Sequence, residues 1–436
     1  MSTVVADTPN TTEPSGPTDT SKTSPGVREG AFGHATALSC RECGHLVELG
    51  PHYACPECFG PLEIAYDFPT VTREQIEAGP RNIWRYKALL PVPDDIEQSP
   101  NMEPGFTRLL KAHNLGRELG IDNLWVKDDS TNPTNSFKDR VVACALSAAT
   151  EFHSKVFACP STGNLANAVA AAGARAGMKT VVFIPSNLEQ PKQVNSAVYT
   201  DSLVAVNGNY DDVNKLASEI AGEEEGWAFV NVNVRPYYAE GSKTLGYEIA
   251  EQLGWRLPDQ IVIPVASGSQ LTKVHKAFGE LVALGLVEDK PVKIYGAQAT
   301  GCAPVSAAFK EGVDVIRPVK PDTIAKSLAI GNPADGIYVL DICRQTGGAV
   351  EDISDDEVRE GILLLARNEG IFTETAGGTT IGVLKKLVDT GQLDPTLETV
   401  VINTGMGLKT LDAVSGSVGP AATIEPSYAA FVQTGI

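Results

Sequence analysis

No apolar run in the 436-residue chain approaches the roughly 18 residues that a bilayer-spanning helix requires, so a membrane is not an expected partner. Cations are also scarce: 35 Lys and Arg stand against 54 Asp and Glu, a formal net charge of -19. Phosphate backbones are met by clustered Lys and Arg, so a nucleic-acid partner is not expected either. The first 30 residues, rich in Ser, Thr, Pro and Gly, lack the apolar stretch of a signal peptide. They carry acids and little Arg, which disfavours a transit peptide, and residues 1–35 read as a disordered tail on a cytoplasmic protein. No internal repeat is present. What remains is an ordinary globular composition, 42% hydrophobic and 20% charged, long enough for two or three domains.

Eight cysteines are present, and four of them fall in "CREC" and "CPEC" (Cys40, Cys43, Cys55 and Cys58), with eleven residues between the pairs. Two such knuckles can wrap four thiolates around one Zn²⁺, and four cysteines leave no open coordination position, as in a structural site. Disulfides or free thiols are the competing reading, and a cytoplasmic setting disfavours disulfides. Residues 36–66 therefore read as a small zinc ribbon. Cys144, Cys159, Cys302 and Cys343 lie in apolar contexts and read as buried core.

From about Leu124 the chain alternates β-branched runs such as "KVFACP", "TVVFIP", "QIVIPV" and "TVVINT" with segments whose apolar residues recur at three and four. This alternation implies parallel sheets covered by helices on both faces. The strands are too many for one small domain, so residues 67–414 are expected to form two α/β lobes, the smaller over about 150–235. Residues 415–436 lose the pattern and read as a C-terminal tail.

Ligands bind such folds where strands end and helices begin, and three of these junctions are chemically loaded. "STGN" (Ser161 to Asn164) offers hydroxyls, an amide and backbone N–H groups for a carboxylate, with Ser161 and Thr162 as candidate donors. "ASGSQ" (Ala266, Ser267, Gly268, Ser269 and Gln270) suits a phosphate cradled by backbone amides, without Walker lysine spacing. "TGMGLK" places Thr404 beside two glycines. A fourth segment, "NPTNSFKDR", puts Lys138 at a helix start, where the helix dipole disfavours a cation. A lysine bound covalently to an aldehyde resolves that conflict. A cofactor with an aldehyde, an aromatic ring and a phosphate arm is pyridoxal 5′-phosphate, with Thr404 able to meet its ring nitrogen.

"NPTNSFKDR", "STGN", "EGSKT", "AIGNPA" and "TGMGLK" resemble the motifs of the threonine synthases, in the β-family (fold type II) of pyridoxal-phosphate enzymes. The resemblance runs from about Ala37 to Val414 and includes the CxxC pairs. It implies that Lys138 binds the cofactor aldehyde, Phe137 lies beside the ring and Asn164 meets the 3′-oxygen. It further implies that Ala266 to Gln270 hold the phosphate and Thr404 faces the pyridine nitrogen. The implied reaction converts O-phospho-L-homoserine and water to L-threonine and phosphate, in a homodimer. The alternative is a related lyase or β-replacement enzyme: a threonine dehydratase, cysteate synthase or sulfhydrylase. For the substrate phosphate, Lys243, Arg235 and Arg108 are the expected cations and Ser242 and Asn233 the expected donors. The chain departs from the family pattern at "EPGFTRLL", at "ASGSQ" and at "NVNVRPYYA", where Arg235 is displaced from the family's arginine.

Overall fold

A computed structural model describes residues 27–161, 163–186, 188, 190–208 and 210–436. Its first sheet is antiparallel and three-stranded, built from β1 (Ala35–Cys40), β2 (Leu46–Val47) and β3 (Leu62–Tyr66), with β1 in the middle. This is the expected ribbon, and its two turns carry the CxxC pairs. Ten further strands follow: β4 (Arg108–Lys111), β5 (Leu124–Asp128), β6 (Val156–Pro160), β7 (Lys179–Pro185), β8 (Leu203–Val206), β9 (Trp227–Phe229), β10 (Gln260–Pro264), β11 (Lys293–Ala299), β12 (Val350–Ile353) and β13 (Thr399–Asn403). They form a parallel four-stranded sheet ordered β8-β7-β6-β9 and a six-stranded sheet ordered β12-β11-β10-β13-β5-β4. All pairings in the larger sheet are parallel except β4 with β5.

Every residue of β6, β10 and β13 is buried, the signature of sheets covered by helices on both faces. The smaller sheet runs from β6 to β9 in sequence, and its strand β8 leaves Val204 exposed. β12 is absent from the apolar-run reading because it spells "VEDI". Glu351 tolerates its place there through ion pairs to Lys310 and Lys386, both at 2.9 Å. Cys144, Cys159, Cys302 and Cys343 are buried, as expected.

The tail boundary at residue 35 is corrected by the structure. Ala31 and Phe32 are buried, and the Phe32 ring lies 5.0 Å from each of Phe152 and Tyr237. Arg28 pairs with Asp95 at 2.7 Å and with Glu151 at 2.8 Å. An apolar ring and a guanidinium bonded to two carboxylates tie this segment to the body; the rest of the tail expectation, residues 1–26, lies outside the described residues. The C-terminal segment from residue 415 is almost wholly exposed and carries one short helix, Tyr428–Gln433.

Candidate active site

Lys138 is the first residue of the helix Lys138–Glu151. The loop before it is fixed from both sides. The Phe137 N–H donates to the Thr404 carbonyl at 2.8 Å, which ties the loop to the end of β13. Asp139 accepts from the Thr134 N–H and hydroxyl, each at 2.7 Å, folding "TNSFKD" back on itself. Behind Lys138, Arg140 is completely buried between Asp129 and Glu248, 2.7 and 2.5 Å away. Burial would raise the Glu248 carboxyl, but Arg140 and Lys127 hold it down at about 2. The motif's arginine thus anchors the helix that presents the lysine.

One cleft collects the loaded junctions. Its lining includes Phe137, Lys138, Asn164, Ala266 to Gln270 and Thr404, together with Ser136, Tyr238, Ser327 and Glu374. The Lys138 Nζ donates to the Tyr238 hydroxyl at 3.2 Å and stands 5.2 Å from the Phe137 ring centroid. At the other end, Gly268 precedes the helix Ser269–Ala283 with φ +97°, a conformation that favours glycine. The first N–H groups of a helix lack partners within it, and Ser269 and Gln270, which open this one, line the cleft. The buried Gln270 Nε2 has no hydrogen-bond partner among the described residues, which fits a donor meant for an anion. A second hollow, lined by Arg28, Asp95 and Glu151, shares no residue with this cleft.

Glu374 is the charged residue among those that sequence reasoning missed. Its two carboxylate oxygens accept from the Thr404 hydroxyl at 2.8 Å and from the Asn164 amide at 2.7 Å. Burial pushes its carboxyl above the usual range, against the opposing effect of these two donors. A carboxyl thus joins the two side chains assigned to the cofactor ring. The available signal was an acid at a helix start, in "TETAGG" ahead of the helix Thr375–Asp389.

The residues expected at the substrate phosphate are mostly elsewhere. Ser242 lines the cleft. Lys243 does not: its Nζ is buried against Glu240 at 2.8 Å, Glu280 at 3.1 Å and the Leu89 carbonyl at 2.9 Å. A lysine desolvated in a helix start has to be neutralised, and two carboxylates do so. Arg235 pairs with Asp335 at 2.8 Å, and Arg108 with Asp128 at 2.7 Å on the exposed side of β4. The Asn233 side chain holds backbone, bonding the Phe229 N–H at 2.9 Å and the Trp227 carbonyl at 2.8 Å. Tyr238, three residues on from Arg235, is the "RPYY" side chain that reaches Lys138. Ser161 immediately follows β6 and is buried, its hydroxyl accepting from the Gly163 N–H at 3.4 Å; Thr162 lies outside the described residues.

The four ribbon cysteines converge, with all four Sγ atoms within 4.8 Å of one another. Cys40–Cys58 and Cys43–Cys58 stand at 3.4 Å and Cys43–Cys55 at 3.7 Å. These separations are too long for S–S bonds of about 2.05 Å. They are near the roughly 3.8 Å edges of a tetrahedron with 2.3 Å metal–sulfur bonds. The donor set fits a zinc ion.

Residues 101–405 match the family model described as "Pyridoxal-phosphate dependent enzyme". The threonine synthase of Methanocaldococcus jannaschii is 37% identical over 380 residues, covering 86% of this chain and 93% of that protein. That of Methanosarcina acetivorans is 35% identical over 85% of this chain and 92% of its own length. Among solved structures, the processed form of threonine deaminase isoform 2 from Solanum lycopersicum superposes with a TM-score of 0.60 at 20% identity, covering 82% of this chain and 99% of that one. Serine racemase from Dictyostelium discoideum gives 0.58 at 19% identity, over 78% and 99%. At such identities the structural likeness speaks for the fold alone.

Proposed function

The chain belongs to the threonine synthase family of pyridoxal-phosphate-dependent enzymes, and we propose that it converts O-phospho-L-homoserine and water to L-threonine and phosphate. The observation that carries the reading is the sharing of one cleft by Lys138 and the unpartnered Gln270 amide. An amine for an aldehyde and a donor set for a phosphate line the same cleft. When bound, pyridoxal 5′-phosphate supplies an electron sink for the substrate carbanion.

The chain's own residues do the rest. The N–H groups after Gly268 and the Gln270 amide hold the cofactor phosphate. Asn164 and Thr404, both tied to Glu374, orient the ring. Lys138 would hold the cofactor aldehyde, and its amine, which donates to the Tyr238 hydroxyl, would serve as general base for the substrate Cα proton. The Ser161 and Thr162 loop receives the substrate carboxylate. With Lys243, Arg235 and Arg108 engaged by carboxylates, Ser242, Ser327 and Tyr238 are the donors for the leaving phosphate. The four cysteines hold one structural Zn²⁺.

The test is product analysis. The purified protein, loaded with cofactor and given O-phosphohomoserine, should release phosphate and threonine in equal amounts. Lys138→Ala should release neither and should lack the visible absorption of lysine-bound cofactor. A chain that forms no threonine, and instead turns threonine into a 2-oxo acid and ammonia, belongs with the deaminases.

A further inference from the structure

The ribbon touches the catalytic region through the residues between its own metal ligands. Arg41 and Glu42 occupy the middle of "CREC". The Arg41 guanidinium carbon lies 3.4 Å from the Tyr338 ring centroid, and its Nη1 reaches Asp335 Oδ1 at 3.4 Å. The Tyr338 hydroxyl donates to Glu42. Asp335 immediately precedes the helix Gly336–Gln345, where an aspartate ordinarily caps the free N–H groups. Here its side chain makes no cap bond; the second oxygen accepts from Arg235 at 2.8 Å instead. The carboxylate is spent on two arginines from distant parts of the chain.

The Asp335 backbone meets the turn assigned to the cofactor phosphate. Its N–H donates to the Ser267 carbonyl at 2.8 Å. Its own carbonyl lies so close to Gly268 that a Cβ there would stand 3.0 Å from it, and 2.7 Å from Val339. The turn is therefore shaped against Asp335 and the helix that follows it. On the ribbon side the packing is equally close: a Cβ on Gly60 would stand 2.9 Å from the Cys40 Sγ and 2.8 Å from Glu42. A contact chain runs from the cysteine cluster through Arg41 and Asp335 to Ser267 and Gly268.

We propose that Asp335 is a positioning residue through which the metal-bound knuckle sets the phosphate-binding turn, so that cofactor affinity depends on metal at the four cysteines. This rests on the reading that Ser267 to Gln270 hold the cofactor phosphate. Metal fixes Cys40 and Cys43, and thereby the two residues between them. Arg41 holds Asp335 and Glu42 holds Tyr338 of the helix that follows it, and Asp335 in turn holds the backbone of Ser267 and Gly268. Without the metal the knuckle can relax, and the turn loses one of its two walls.

The experiment measures the dissociation constant of pyridoxal 5′-phosphate for cofactor-stripped protein, before and after zinc removal by a chelator. Wild type, Arg41→Ala, Asp335→Asn and the double variant are compared, with zinc content and unfolding midpoint recorded for each. Chelation and each single substitution should weaken cofactor binding by about three- to tenfold. The double variant should be no worse than either single one, and chelation should have no further effect on Asp335→Asn. Arg41→Lys, which keeps the charge but loses the planar stack, should fall between. Wild-type affinity in zinc-free protein, or in Arg41→Ala that retains its zinc, overturns the proposal. So do fully additive losses, which would mark two independent structural defects. Unphosphorylated pyridoxal serves as control: if it binds wild type as tightly as the phosphate ester, the cradle reading fails, and the relay with it. If the ester binds far more tightly yet none of the perturbations matters, only the relay fails.

Discussion

Lys138 and Lys243 each open a helix, and their ammonium groups meet opposite surroundings. Lys138 stands beside Phe137 and a tyrosine hydroxyl, with no carboxylate bonded to it among the described residues. Lys243 is enclosed by Glu240 and Glu280 beneath the Tyr66 ring. Burial alone would raise the Glu240 carboxyl, but Lys243, Lys273 and Lys276 hold it well below its usual range. Removing Lys243 leaves acid in the interior with one cation fewer. Lys243→Ala is therefore expected to cost about 3–5 kcal/mol of stability, read as a lower unfolding midpoint, with an unchanged KM for O-phosphohomoserine at temperatures where it stays folded. A raised KM at undiminished stability would return this lysine to the substrate site. The sequence displays the charge of "EGSKT" but not Glu280, whose approach depends on how two helices pack. Glu374 escaped for the same reason, since Asn164 is 210 residues away from it.

Among the elements, the helix that carries Lys138 depends on a pair it cannot supply itself. Arg140 on that helix and Glu248 on the helix Lys243–Gln252 meet out of water, with Lys127 of β5 as second cation to Glu248. The folded Glu248 titrates at about 2, below an unfolded glutamate at about 4.3. The stabilisation is thus fully present above the unfolded value and is lost as pH falls from there toward 2. Glu248→Gln should be about 3–5 kcal/mol less stable at pH 7, and denaturant midpoints measured from pH 7 down to pH 3 should show the gap narrowing in acid. A gap that stays constant over that range would mean the carboxylate charge is not what the helix uses. Strand and helix existence was legible at this scale because β6, β10 and β13 are buried on both faces and so are written in unbroken apolar residues. β12, held by ion pairs, leaves no such trace.

The whole molecule joins three sheets, and the loops that gather at the cleft come from both larger ones. Asn164 follows β6 in the smaller sheet, whereas the Gly268 turn and Thr404 follow β10 and β13 in the larger. The cleft could be read from sequence because each loop announces itself where a strand stops; the ribbon's attachment could not, since Arg41 and Asp335 stand 294 residues apart. Metal analysis should find about one zinc per chain. Chelation should expose four titratable thiols and lower the unfolding midpoint, and a midpoint indifferent to chelation would deny the cluster a structural role.

The ribbon looks like a cassette, a short module with its own metal site ahead of a catalytic body. Its attachments say otherwise. On the entering side, Phe32 is wedged against Phe152 and Tyr237, and Arg28 bridges Asp95 and Glu151. On the leaving side, Glu63 of β3 pairs with Lys273 at 2.8 Å, and the Tyr66 hydroxyl donates to Glu240 at 2.6 Å. Trimming the chain back to Ala35 would strip an aromatic plug from the body, and trimming it to residue 67 would unbalance an interior cluster of lysines. Ribbon and body are packed as one, and a graft that exchanged the ribbon for another would have to carry those four anchors with it.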